Sequence, residues 1–148
     1  MHVFPGLNYY HGKTQEFWRA DFTKSFERIL GEHAHRIQLI AGAHIHRFEL
    51  RAVASKAYPA TAQVPFLVTP SFSPVYNNNP GYAMLRIDDV THKITDLTVR
   101  SLQLQYYLLL GKVVWSKQSP LEDYKLDANS PASLSNYTSI IKTPQEFG

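Results

Sequence analysis

The sequence predicts a mixed α/β (α+β) fold in which a mixed sheet is flanked by one amphipathic helix. Apolar residues recur at helical spacing over 15–30. Short segments at 37–41, 47–53, 64–68, 82–87 and 94–104 read instead as strands, by apolar runs or by alternation. A chain of 148 residues that is 44% hydrophobic and 13% aromatic has the size and composition of one globular domain with a core.

Taken in order, residues 2–6 are extended and run into a Pro-Gly turn, and 7–13 read as a polar loop. In the helix at 15–30, Trp18, Phe22, Phe26, Ile29 and Leu30 make the apolar face, while Arg19, Lys24, Glu27 and Arg28 fall largely elsewhere. Thr14 is the expected cap and Gly31 the expected left-handed stop. The apolar run 37–41 suits a buried strand, ended by Gly42 and Ala43, both small enough for close backbone approach. Over 47–53, Phe48, Leu50 and Ala52 alternate with charged neighbours. In 64–68, Pro65 argues for a strand start. A Ser-, Asn- and Pro-rich loop at 71–81 precedes a hairpin formed by 82–87 and 94–104, with turn residues at 88–93. Beyond Trp115 the periodicity fades. Ser130-Pro131 then reads as a helix start, with Leu134, Tyr137, Ile140 and Ile141 on its apolar face.

Composition excludes several roles. The formal charge of +3 comes without a basic block or stripe, so nucleic acid is not an expected partner. With no cysteine, disulfides and thiolate metal sites are ruled out. The apolar stretch 106–115 is too short to span a bilayer and contains Gly111 and Lys112, so no transmembrane segment is expected. The start of the chain has neither the basic nor the apolar region of a signal peptide. The sequon Asn136-Tyr137-Thr138 carries little weight.

Chemistry concentrates in the histidines. Neutral imidazole is a good ligand for zinc and other divalent transition metals. His44 and His46 follow an apolar run and Gly42, where a strand ends and both rings can converge on one site. His33 and His35 have the same spacing but follow the helix stop, and read as solvated side chains near the helix carboxyl end.

His2-Val3-Phe4-Pro5-Gly6 and Ala43-His44-Ile45-His46 together resemble the last two metal-binding motifs of the calcineurin-like metallophosphoesterases, in particular the acid sphingomyelinase branch with its H-x-P-P-G and G-H-x-H. Thr69-Pro70-Ser71 and Asn79-Pro80-Gly81-Tyr82 resemble that branch's A-P-S and N-P-G-Y segment, and Leu85-Arg86-Ile87-Asp88 the strand after it. Phe4 and Ala43 stand where the family has proline and glycine, and Arg47 opens a stretch where relatives carry an acidic residue.

The resemblance implies that His2 and His44 bind one of two metals and His46 the other, with zinc favoured by the histidine-rich ligand set. No catalytic residue beyond these ligands, and no other cofactor-binding residue, is expected in the chain. The implied fold is the C-terminal half of a four-layer α/β/β/α sandwich. On that reading 1–148 is a single partial domain with a helical extension from about 116. The family's D-x-H, G-D-x-x-D and G-N-H motifs, which carry its carboxylates, are not found here. Asp88, Asp89, Glu122 and Asp123 fall at turn or surface positions and read as solvated. The expected partner is therefore the chain's own N-terminal half or another protein chain, with a phosphodiester as substrate once the site is complete. Secretion or a lysosome is the compartment the resemblance implies. The alternative is a non-catalytic remnant that serves as a structural or interaction subunit.

Overall fold

A computed structural model describes residues 1–10, 13–53 and 64–127. Within these, the fold is α+β. β1 (Leu7–Tyr10) and β2 (Lys13–Glu16) pair antiparallel. α1 (Ala20–His33) follows, then β3 (Ile40–Gly42), β4 (Glu49–Val53) and β5 (Val64–Val68). Their sheet has the order β3-β5-β4, parallel between β3 and β5 and antiparallel between β4 and β5. β6 (Gly81–Ile87) and β7 (Ile94–Leu102) form the expected hairpin. After α2 (Leu104–Leu110), β8 (Trp115–Gln118) joins the far side of β7, and α3 (Pro120–Asp123) ends the described chain. No helix among the described residues is long and apolar enough to cross a membrane.

Several expectations need correction. Residues 7–10 are a strand, and 13–16 pair with them, so the stretch expected as loop and first helical turn is a β-ribbon. The helix starts at Ala20, with Arg19 and not Thr14 as its N-cap, because pairing with β1 takes Gln15 and Glu16 into the ladder. It runs through Gly31 to His33; a single glycine costs a helix only about 1 kcal/mol. Of its apolar face only Leu30 is buried, while Phe22 and Ile29 are exposed. β3 is a three-residue strand at the end of its sheet, and Ala41 within it is exposed, against the fully buried 37–41 expected. Of the helical extension expected from about 116, Ser116 lies in β8 and α3 is the only helix after it among the described residues; residues 128–148 lie outside them. The helix expected after Ser130-Pro131 and the sequon lie outside the described residues.

The two three-stranded sheets meet across β5, where every residue is buried. Its side chains alternate as a strand requires. Pro65 and Leu67 face the second sheet across a narrow apolar gap of about 10 Å³, which Leu50, Leu85, Ile94 and Leu97 also line. Phe66 and Val68 point the other way, into a cluster with Phe4 and Ile45. Pro65 is tolerated inside a middle strand because β3 pairs only from Phe66 onward, leaving Pro65 a ladder neighbour on one side. Gly42 is fixed by the same packing: a Cβ there would sit 2.7 Å from the Phe66 ring.

Candidate functional site

The histidine loop is built on that cluster. Ile45, 7% exposed, plugs into Phe4, Phe66 and Val68. His44 and His46 flank it with positive φ, 82° and 61°. The Ile45 N–H donates to the Ala43 carbonyl at 3.1 Å, so His44 sits at the centre of a γ-turn of the strained, positive-φ kind. The double reversal sends Ile45 inward and leaves the two imidazoles on one cavity. Non-glycine residues hold such angles only where the surrounding structure imposes them.

His2 reaches the loop from the chain start. The Met1 amino group donates to the Ala41 carbonyl at 2.9 Å and the Ala43 N–H to the His2 carbonyl at 2.9 Å, so the first residues run along the free side of β3. Phe4 anchors them. It is 1% exposed, packs edge-on against Phe17, touches Phe66, and lies under the Arg51 guanidinium at 4.6 Å. The third residue of His2-Val3-Phe4 is thus a core aromatic.

The result is a close imidazole pair. His2 Nε2 and His44 Nδ1 are 3.3 Å apart, with the ring planes at 78°. As a neutral pair, one ring N–H donates a hydrogen bond to the other ring's nitrogen, the direction depending on the tautomer. The same separation is close to the edge of a zinc tetrahedron, since two nitrogens at about 2.0–2.1 Å from one metal lie about 3.4 Å apart. His46 lines the same cavity of about 390 Å³, its ring edge-on to Tyr76. Its Nδ1 is buried and has no hydrogen-bond partner. A buried polar atom without a partner among the described residues is costly. His33 and His35 are exposed and do not line this cavity.

The lining also includes hydroxyl and aromatic side chains from Thr69, Ser71, Phe72 and Tyr82. A second hollow of about 180 Å³ on the other side of His44 is lined by Phe17, Arg47, Tyr76 and Asn78. Arg47 is engaged by Glu49 at 2.6 Å, and Glu49 also receives Arg51 at 2.6 Å. No described carboxylate lines either hollow, and no group of three histidine, aspartate or glutamate side chains among the described residues is arranged to hold a metal ion. The imidazoles therefore fit part of a metal centre and not a complete one.

The Asn79-Pro80-Gly81 segment does more than turn. Asn79 Oδ1 accepts from the Leu104 N–H at 3.1 Å, the Pro80 carbonyl accepts from Leu102 at 2.8 Å, and Gly81 donates to the Ser71 carbonyl at 2.8 Å. A Cβ on Gly81 would meet the Arg100 carbonyl at 2.7 Å, so only glycine lets the hairpin approach this closely. Next to it, Asn78 Nδ2 donates to the Ile45 carbonyl at 3.2 Å, tying the 71–81 loop to the histidine loop. Phe17, Tyr76 and Asn78 were not singled out by sequence reasoning. Tyr76 carries no motif and reaches His46 only through its own left-handed backbone, φ 65°.

No protein-family profile matches the chain. It is similar to the sphingomyelinase phosphodiesterase D of Dictyostelium discoideum, with 27% identity over 119 residues. That match takes in 79% of this chain and 27% of the relative, so the chain spans about a quarter of the relative's length. The similarity is to a phosphodiesterase, at a level that supports the coarse assignment alone.

Proposed function

We propose that this chain supplies the histidine side of a calcineurin-like, acid sphingomyelinase-like phosphodiesterase site, within a four-layer sandwich completed by further protein. One observation carries the reading: residues 42 positions apart in sequence bring two imidazole nitrogens to 3.3 Å on a cavity that a third histidine also lines.

On this reading His2 and His44 would hold one divalent ion, with zinc favoured, and His46 would contribute to a second. When bound, such a pair supplies Lewis-acid polarisation of a phosphoryl oxygen and a water of lowered pKa. The chain's own contribution is orientation. Phe4 and Ile45 fix the two strands of approach, and Tyr76 holds the His46 ring. Anionic ligands are needed to offset the repulsion of two close cations. They come, in this proposal, from protein beyond this chain, which makes hydrolysis a joint property. The competing class is a structural or interaction subunit that keeps the loop without catalysis.

Zinc titration of the purified chain separates them. The proposal expects zinc binding that weakens about tenfold or more on His2→Ala or His44→Ala, as loss of one of the two imidazoles assigned to that ion should. It expects no useful hydrolysis of a generic phosphodiester such as bis(p-nitrophenyl) phosphate by the chain alone, and hydrolysis once a carboxylate-bearing companion is added. Absence of zinc binding would favour the interaction subunit. Turnover by the isolated chain that His46→Ala abolishes would overturn the divided site.

A further inference from the structure

Beside the histidine cavity the chain projects an apolar tip into water. α2 ends at Gly111, φ 64°, whose N–H donates to the Tyr107 carbonyl at 2.9 Å, and the chain turns back toward β8. The base of this excursion is pinned by polar bonds: Gln103 N–H to the Val114 carbonyl at 2.8 Å, and Gln103 Nε2 to Ser116 Oγ at 2.9 Å. Its end is apolar and unprotected. Leu108 is 72% exposed, Leu109 81% and Val113 66%. Tyr106, Tyr107 and Trp115 stand nearer the base, about half exposed.

That grading is the chemistry of a bilayer boundary, with aliphatic side chains outermost and amphipathic rings where headgroups would lie. Charge points the same way. Between Asp96 and Glu122 there is no acidic residue, while Arg100, Lys112 and Lys117 are basic. Lys112 sits between Gly111 and Val113, in the middle of the apolar tip. The core of a protein–protein interface is depleted of lysine. At a membrane, by contrast, a lysine stem lies among acyl chains and its ammonium reaches a phosphate. The tip is also continuous with the cavity. Trp115 packs on Tyr82 at 5.9 Å and Tyr82 on Phe72 at 5.8 Å, and both Tyr82 and Phe72 line the cavity.

We infer that residues 106–115 form a docking element for an anionic lipid surface, which would lie beside the mouth of the histidine cavity. The inference does not depend on hydrolysis, and its test needs neither metal nor substrate. The full chain is sedimented with vesicles of phosphatidylcholine alone or with one-third phosphatidylserine. Binding to the anionic vesicles is expected, falling about tenfold or more with Leu108→Glu/Leu109→Glu, since each charge opposes insertion. Lys112→Glu should weaken it as well, and so should salt near 1 M, where the screening length drops to about 3 Å. In a Trp18→Phe background, Trp115 emission should shift to the blue on binding. The three altered side chains other than Trp18 are on the exposed tip, and unchanged circular dichroism would verify the folding of each variant. Failure to bind either vesicle overturns the inference, as does binding that ignores the paired glutamates. Equal binding to both vesicle types overturns the anionic assignment. Self-association without vesicle binding, lost with the paired glutamates, makes the tip a protein interface instead.

Discussion

Phe4 is the residue on which the site turns, because it joins the chain start to the core. Truncating a fully buried phenylalanine costs about 3–5 kcal/mol. Phe4→Ala should therefore lower stability by about that much in a urea melt, and should weaken zinc binding even at temperatures where the fold survives, since His2 loses its anchor. His44 illustrates the opposite economy. At φ 82° it sits in a turn that glycine adopts without strain and a β-branched residue resists. His44→Gly should be more stable than His44→Val by about 2 kcal/mol, the reverse of their order in a relaxed strand. Comparable melts for the two variants would mean that the turn is not held under strain. The identities of these residues were legible in the sequence: His2 and His44 stood in motifs that carry the resemblance, and Gly42 read as a strand end small enough for close backbone approach. Their geometry was not. A His-x-His pair on a strand points to two faces, and nothing in the sequence says that two left-handed residues will fold Ile45 inward between them. The role of Phe4 was hidden for the same reason, since burial is decided by Phe66 and Arg51, each more than 40 positions away.

Among elements, the strands were easier to read than the helix. The β6–β7 hairpin and β5 follow from apolar patterning, and both lie close to where alternation puts them. The helix boundary failed because Lys13–Glu16 pair with β1, a contact that propensity cannot anticipate. β8 was lost because its ladder with β7 carries little alternation, three of its four residues being exposed. The turn at 88–93 was legible in kind, but the part played by Asp88 was not. Its carboxylate accepts from the Thr91 N–H at 2.6 Å, the Thr91 hydroxyl at 2.7 Å and the Val90 N–H at 3.2 Å. The Thr91 backbone bond first, then its hydroxyl, hold the Asp88 pKa below the ordinary carboxylate value against a small opposing effect of burial, with Val90 adding to the lowering. A lowered folded-state pKa gives stability that is full above the unfolded value, near 3.9, and is lost as pH falls through the folded one. Amide exchange at Thr91 should accordingly show a turn unchanged from about pH 5 to 8 that opens in acid below about pH 4. Asp88→Asn should open the turn at neutral pH and remove the acid step; an acid step that survives this substitution would assign it to another group.

For the whole molecule, the question is what covers the apolar surface that the described chain leaves open. α1 buries Leu30 alone, and Phe22 and Ile29, from the face expected to seek a core, are 57% and 44% exposed. β3 is bordered on its outer side by the first residues of the chain, held by the Met1 and Ala43 bonds, and the outer side of β4 has no ladder partner among the described residues. An unpaired strand edge is a template for pairing, and exposed apolar residues on a helix mark an interface or an aggregation hazard. The tip at 106–115 differs from both in its lysine and its aromatic grading. Taken with a relative of which the matched segment makes up only 27%, they lead to the prediction that the isolated chain is not a stable monomer. Light scattering should find it associating as concentration rises, and Phe22→Glu should reduce that association by removing the apolar contact while leaving α1 helical. Hydrogen exchange should show β5 and β7 protected and α1 open until a companion protein covers it. A cooperative monomer at high concentration, with α1 as protected as β5, would mean that the chain closes its own core, and the account of a site shared between this chain and other protein would then lose its structural basis.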